Sequence, residues 1–180
     1  MHLATLALFL PACFALNMAP GPNNLLSVRN ASTYGFRTSC LAGIGRLAAF
    51  ALMIALAAAG LAVVLQASEL LFYGIKILGA GYLLYLAYQL WTADPQVQSA
   101  ERSRVSGLLA LSRQEFLVAI GNPKAILIFT AFLPQFVEPG APVGSQFLVL
   151  GLLFLLLEWI AISAYAVSYT HLTLPTNREV

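Results

Sequence analysis

Apolar residues fill this chain in long runs, and the informative positions are those where the runs break. Two short polar elements rich in Pro and Gly interrupt them: Ala19-Pro20-Gly21-Pro22-Asn23-Asn24 near the start and Gly121-Asn122-Pro123-Lys124 in the second half. The runs predict five helical spans, at about residues 3–19, 39–65, 70–91, 116–136 and 146–166. Such lengths suit a bilayer core of about 30 Å, which takes roughly 20 helical residues to cross. Between the spans lie a short segment from Asn24 to Arg37, amphipathic at best, and a tight turn at Gln66-Ala67-Ser68-Glu69. A polar stretch from Thr92 to Gln114 and a Pro/Gly loop from Glu138 to Ser145 complete the connections. Backbone that leaves the helix inside lipid loses partners for its peptide groups, so a break survives only where it is buried in protein or lines a cavity. One interrupted helix per half is the sequence pointer to a transporter's binding site at a repeat interface.

Composition agrees with the pattern. Of 180 residues, 60% are hydrophobic and 9% charged, and the mean hydropathy is +0.84, which excludes an ordinary soluble globular fold. The net charge of +2 says little; its placement says more. Arg29 and Arg37 follow the first span, and Arg102, Arg104 and Arg113 follow the third, whereas the connections around Glu69 and Glu138 hold no Lys or Arg. Cytoplasmic loops carry the Lys/Arg excess. The N-terminus is therefore expected outside, with residues 20–38 and 92–114 cytoplasmic, in a bacterial inner (plasma) membrane. Trp91, with Tyr85 and Tyr88 nearby, suits an interfacial aromatic belt at the cytoplasmic end of the third span.

Both ends call for separate readings. Leu3 to Phe14 has the length of a signal-peptide core, but only Met1 and His2 precede it, so the positive n-region is missing. Val167 to Thr176 can be written codon by codon as the translation of a transposase adapter used in sequencing libraries. Residues 167–180 are accordingly read as adapter read-through and residues 1–166 as the transporter membrane domain. The stretches "FALNMAPGPNNLL" and "FLVAIGNPKAILI" open two related halves. Three spans per half would give an inverted repeat. The expected fold is an all-α, polytopic helical membrane protein, an inverted 3+3 repeat with broken helices, five spans present and the sixth missing.

Several elements in order resemble the lysine-exporter/homoserine-exporter (LysE/RhtB) family of amino-acid efflux proteins. They are Pro20-Gly21-Pro22-Asn23, Gly35-Phe36-Arg37 leading into a Gly-rich second span, and Lys76 with Gly79-Ala80-Gly81-Tyr82-Leu83. Asn122-Pro123-Lys124, Phe132-Leu133-Pro134-Gln135-Phe136, and Glu158 followed by Tyr165-Ala166 complete the series. The resemblance implies a six-span inner-membrane exporter of amino acids or their derivatives, with no fixed substrate.

Glu158 is the sharpest candidate for chemistry. It lies about twelve residues into its span, roughly 18 Å along a helix rising 1.5 Å per residue, close to the midplane. An ionisable group there is a functional-site hypothesis by default, either as a proton-coupling or amine-binding carboxylate or as the partner of a buried cation. Lys76 and Arg46 each stand about seven residues from a span end, roughly 10 Å deep, a depth from which long basic side chains can snorkel to the headgroups. Lys76 is best specified as counter-ion to Glu158; Arg46 either snorkels or meets a substrate carboxylate. At the breaks, half-helix ends offer partial positive charge to a zwitterion's carboxylate and free carbonyls to its ammonium. Asn17, Asn23, Asn24 and Asn122 add side-chain donors and acceptors; Pro20, Gly21, Pro22, Pro123 and Lys124 are expected with them as substrate-binding positions, Lys124 facing either the cavity or a lipid phosphate. Gly43, Gly45, Ala48, Ala49 and Ala51 make a small-residue face that lets helices approach and permits a homodimer.

The expected function is secondary active export of amino acids, driven by the proton gradient, as an antiporter with alternating access about the two breaks. Its partners are then a small amino acid, the bilayer and the proton gradient; neither nucleic acid nor enzymatic chemistry is indicated. No His/Cys/carboxylate cluster suggests a metal and no Gly-rich loop a nucleotide, so no cofactor is assigned. A different class, a membrane thiol–disulfide electron carrier, needs a redox cysteine in each half, yet Cys13 and Cys40 both belong to the first. A third reading takes this polypeptide as an inactive fragment of an exporter.

Overall fold

The computed structural model describes residues 2–67, 69–92 and 107–172, with some side chains in those ranges left aside. Within them the secondary structure is helical throughout: α1 (Leu3–Met18), α2 (Pro22–Tyr34), α3 (Phe36–Ala67), α4 (Glu69–Thr92), α5 (Leu108–Ile120), α6 (Pro123–Leu127) and α7 (Val143–Leu172). A π-helical turn (Ile128–Phe132) and a 3-10 turn (Leu133–Phe136) extend α6. Ser68 of the expected turn, Arg102 and Arg104 of the expected cytoplasmic stretch, and Thr173 to Val180 of the expected adapter segment lie outside the described residues, as do the side chains of Glu69 and Trp91.

The two breaks are the same device built twice. A residue before proline is pushed out of the α region by the ring, and proline itself is well placed as the first residue of a new helix. In the first break Ala19 (φ −64°, ψ 136°) ends α1 ahead of Pro20. Gly21 is fully extended ahead of Pro22, the first residue of α2. In the second, Asn122 (φ −78°, ψ 112°) precedes Pro123, the first residue of α6, and its side-chain oxygen accepts from Lys124 N, a standard N-cap bond. The chain turns by 58° at the first break and 57° at the second.

Two expected boundaries therefore move. The first span does not give way to a loop at Ala19: α2 resumes after the turn and buries Asn23, Asn24, Leu26, Ser27, Asn30 and Ala31. Its polarity made it look like a loop, but the polar stripe points inward. The fourth span begins at Leu108 rather than Phe116, because α5 uses the polar residues Ser112 to Glu115 within its helix. Beyond α6 the helix loosens into the π turn; Pro134 lacks the N–H that Thr130 O would accept in α geometry, and Val137 N closes the following 3-10 turn on Pro134 O at 3.2 Å.

α3 over Phe36–Val64 and α7 over Val143–Ser168 are each long and apolar enough to cross a membrane, with mean hydropathies of 2.6 and 2.4. Each bent pair passes the same test as one unit. The outside is what lipid demands: Leu8, Leu56, Leu78, Leu84, Leu148 and Leu152 are exposed, while Asn17, Asn24, Ser27, Arg46, Glu115 and Glu158 are buried. A water-soluble protein shows the opposite bias. The apolar core holds two aromatic triads. Phe9, Phe132 and Phe136 pack with centroids 5.0–5.8 Å apart. Phe50, Phe129 and Phe154 meet edge-on at 4.9–5.7 Å.

α3 and α7 cross reciprocally. A Cβ on Gly43 would stand 3.0 Å from Ile162, and one on Gly151 would stand 2.9 Å from Ile54. Gly151 follows Gly43 by the same interval that separates Ile162 from Ile54, the signature of two equivalent helices packed antiparallel. That interval also relates Arg46 to Phe154 and Phe50 to Glu158. The Phe50–Phe154 ring pair and the Arg46–Glu158 ion pair thus occupy equivalent places on the two sides of the crossing.

Candidate functional site

The site is organised by one buried guanidinium. Arg46, on α3, has no exposed surface and instead of snorkelling to a headgroup spends every donor inside the protein. Nε and Nη2 donate to Glu115 Oε2 at 3.0 and 2.8 Å, and Nη1 donates to Glu158 Oε1 at 3.0 Å and Asn24 Oδ1 at 3.2 Å. Nη2 also donates to Ser27 Oγ at 2.6 Å and to the carbonyl of Asn23. Four helices therefore converge on it: α2, α3, α5 and α7. A buried charge is tolerated only when paired and fully hydrogen-bonded, and both conditions are met.

The two carboxylates are not equivalent. Glu115 is wholly buried, accepts two bonds from Arg46 on one oxygen, and takes a third from Asn30 Nδ2 at 3.1 Å on the other. Glu158 accepts from Arg46 on one side and lines a cavity on the other. That cavity measures about 20 Å³, enough for one water, which needs roughly 10–15 Å³, and far too small for an amino acid. Its walls include Asn17, Gly21, Asn23, Asn24, Asn122 and Lys124 from the two breaks. Leu16, Phe50, Ala125, Ile128 and Phe154 form its apolar side.

The breaks are tied to each other across this space. Asn122 Nδ2 donates to Asn23 Oδ1, and Lys124 Nζ reaches from the second break to Ala19 O of the first, at 2.8 Å. Asn24 Nδ2 donates to Asn17 O at 2.8 Å and Ala19 O at 3.0 Å, and Tyr165 Oη donates to Met18 O at 2.8 Å. The last carbonyls of α1, expected to meet a ligand's ammonium, are thus occupied by Asn24, Tyr165 and Lys124. The reason is that bare carbonyls in a low-dielectric interior are too costly to leave waiting. A cation at a helix C-terminus is additionally favoured by the helix dipole.

Two polar atoms remain over. Asn17 Oδ1 and Asn23 Nδ2 are buried and have no hydrogen-bond partner, although Asn17 Nδ2 donates to Phe154 O at 3.4 Å and Asn23 Oδ1 is engaged by Asn122. One is an acceptor, the other a donor, and both residues line the cavity.

Among the residues expected from sequence, Asn17, Gly21, Asn23, Asn24, Asn122, Lys124 and Glu158 come together here, with Arg46 directly behind. Pro20, Pro22 and Pro123, also expected at the site, are exposed at the turns and do not line the cavity. Lys76 stands apart. Its Nζ donates to Val137 O at 3.4 Å and its carbonyl accepts from Gln135 Nε2 at 2.7 Å, so it anchors α4 to the 3-10 turn while Arg46 fills the place opposite Glu158. The small face of α3 is also used within the chain. A Cβ on Gly45 would lie 2.0 Å from Ser112 O of α5, and Gly43 abuts Ile162 of α7, so these two glycines serve internal packing rather than a second copy. Cys13 and Cys40 are buried in separate hydrophobic clusters, which gives no support to a paired redox couple.

Sequence reasoning missed Glu115, Ser27 and Asn30. Asn23, Ser27 and Asn30 recur at helical spacing, and Glu115 lies one turn before Ala119 on the buried face of α5. Treating residues 108–115 as loop hid that signal.

A helical membrane protein with two symmetric helix breaks around a buried charged site has the architecture of a translocator. The chain belongs to the LysE type translocator family, which it matches over residues 14–179. It is 32% identical over 157 residues to an uncharacterized membrane protein of Vibrio cholerae, an alignment covering 87% of this chain and 77% of that one. It is 31% identical over 144 residues to the leucine efflux protein of Enterobacter sp. strain 638, covering 79% and 68%. It is 26% identical over 151 residues to the homoserine/homoserine lactone efflux protein of Salmonella typhi, covering 84% and 73%. No solved structure matches the chain.

Proposed function

We propose that this protein exports amino acids across the bacterial inner membrane as a proton-coupled antiporter, by alternating access about its two helix breaks. Membership of a translocator family and the efflux functions named for two relatives support export. The observation that carries the coupling is that both breaks converge on one cavity walled by a single carboxylate, Glu158.

Antiport requires that proton and substrate exclude each other, and a lone carboxylate does this. Ionised, Glu158 attracts a substrate ammonium; protonated, it has no charge to offer and releases the ammonium. Glu115 makes the exchange affordable, since it keeps Arg46 paired in either state. The cavity as it stands is too small for an amino acid, so loading requires the arms of a bent pair to move against α3 and α7. Proline turns are natural hinge points, because each separates two stiff helical arms by a few extended residues. The orientation predicted from arginine placement has support from His2, whose Nε2 lies 3.8 Å from Glu138 Oε2, putting the N-terminus and the 138–142 connection at one end.

Coupling is tested in proteoliposomes loaded with radiolabelled L-leucine. Efflux from the wild type is expected to accelerate under an acid-outside pH gradient. Glu158→Gln, which is neutral like the protonated acid, is expected to lose that acceleration by tenfold or more and to exchange labelled for unlabelled leucine more weakly, at any pH. A Glu158→Gln protein that responds to the gradient like wild type would refute the assignment.

A further inference from the structure

We infer that the cavity between the breaks, widened when the bent pairs move apart, is a subsite for a neutral, zwitterionic amino acid with an apolar side chain, held in one orientation. The carboxylate lies on Asn23 Nδ2 and Lys124, the ammonium on Asn17 Oδ1 and Glu158. This deepens the exporter reading and rests on it.

The first observation is the pair of orphaned atoms. A buried polar atom without a partner costs on the order of 1–3 kcal/mol, and most buried polar groups in folded proteins are satisfied. Asn17 Oδ1 and Asn23 Nδ2 are exceptions on residues only 2% and 4% exposed. They are also of opposite character: a carboxylate needs the donor and an ammonium the acceptor.

The charges sort the same way. Lys124 stands at the Asn23 end, its Nζ 3.9 Å from where a Gly21 Cβ would be. Gly21 caps the start of α2, whose N-terminal dipole also favours an anion. Asn17 lies on α1, and its amide is tied to Phe154 on α7, the helix that carries Glu158. The acceptor and the carboxylate are thus linked through α7.

Charge balance then restricts the substrate class. Arg46 and Lys124 carry two positive charges, and Glu115 and Glu158 two negative ones. A zwitterion enters without disturbing that balance. Lysine or glutamate would bring one uncompensated charge into a low-dielectric site, a strongly unfavourable step. The remaining walls accept an apolar side chain: Leu16, Phe50, Ala125, Ile128 and Phe154 offer no further charged group. Glu115, the other carboxylate nearby, is closed off by Arg46 and Asn30.

The test is counterflow of radiolabelled L-leucine in proteoliposomes of the full chain, with unlabelled competitors that each remove one feature. L-leucine is expected to compete fully. L-leucinamide lacks the carboxylate, 4-methylpentanoate lacks the ammonium, and L-lysine and L-glutamate carry an extra charge; each is expected to compete at least tenfold more weakly. Asn23→Asp keeps the acceptor used by Asn122 but replaces the free donor with an anionic oxygen. It is expected to weaken leucine at least tenfold relative to leucinamide, a change of preference that a merely structural defect would not produce. Lysine or leucinamide competing as well as leucine would overturn the subsite while leaving export standing, as would counterflow of labelled L-lysine in the absence of leucine counterflow. If no amino acid, neutral or charged, exchanges at all, the exporter reading itself fails, and the subsite with it.

Discussion

Arg46 shows how far a single residue's role depends on what surrounds it. From the sequence it is one arginine near a span end, within snorkelling reach of the headgroups. In the fold it is the most densely bonded side chain of the site, with carboxylates from α5 and α7 on either side. Removing it by Arg46→Met would leave two buried anions without their cation, at a cost of about 3–5 kcal/mol. A marked drop in the thermal midpoint of the purified protein in detergent is expected; an unchanged midpoint would show that the pairing contributes nothing. Glu115→Gln separates the two acids. It keeps an acceptor for Arg46 but leaves that cation without an anion whenever Glu158 is protonated, so stability is expected to fall and the response to a pH gradient to weaken. An undiminished response would show that Glu115 takes no part in the coupling. Glu158 was legible in the sequence because a carboxylate stood out in an apolar run. Glu115 was not, because it borders a polar stretch where one more charge carries no signal.

The elements are held together by close approaches that specific glycines permit. At Gly45 an added methyl would sit 2.0 Å from the backbone oxygen of Ser112, so Gly45→Ala must push α3 away from α5 and disturb Arg46, the next residue. Overpacking of this kind costs typically about 1–3 kcal/mol, and here the obstacle is backbone rather than a yielding side chain. Gly60 lies on the same helix with nothing within 4 Å, and Gly60→Ala is expected to stabilise slightly, by up to about 1 kcal/mol of helix propensity. Thermal unfolding of the two variants side by side decides the matter; equal shifts would contradict the packing described. At this scale the helical content and the sites of both breaks were readable, since proline acts locally on its own neighbours. The arm after the first break was not, because α2 turns a polar face inward. Hydropathy cannot distinguish a polar face toward water from one toward a buried arginine.

For the molecule as a whole, the arrangement predicts which positions face which side of the membrane. On the proposed orientation, which sets Arg29, Arg37 and Arg113 in the cytoplasm, an impermeant maleimide applied to intact cells is expected to label Glu138→Cys and to spare Arg37→Cys until the cells are lysed. The native Cys13 and Cys40 are buried and should react little. The reverse labelling pattern would invert the orientation and, with it, the direction in which a proton gradient drives export. The equal bends of the two pairs and the reciprocal α3–α7 crossing describe a molecule built from equivalent halves. On the proposed mechanism, exchanging the roles of the halves presents one site alternately to either side.

Sequence alone determined the lipid environment, the helical class, the position of both breaks and the place of Glu158 within an apolar helix. Each follows from properties that act within a few residues: side-chain hydrophobicity, the proline ring, and the cost of a charge in an apolar run. Only the tertiary structure decided that Arg46 rather than Lys76 faces Glu158, that Glu115 holds it there, and that Asn24, Tyr165 and Lys124 cap the broken end of α1. Those outcomes depend on which helices cross at which depth, and residues from six helices meet at one point only once the chain has packed.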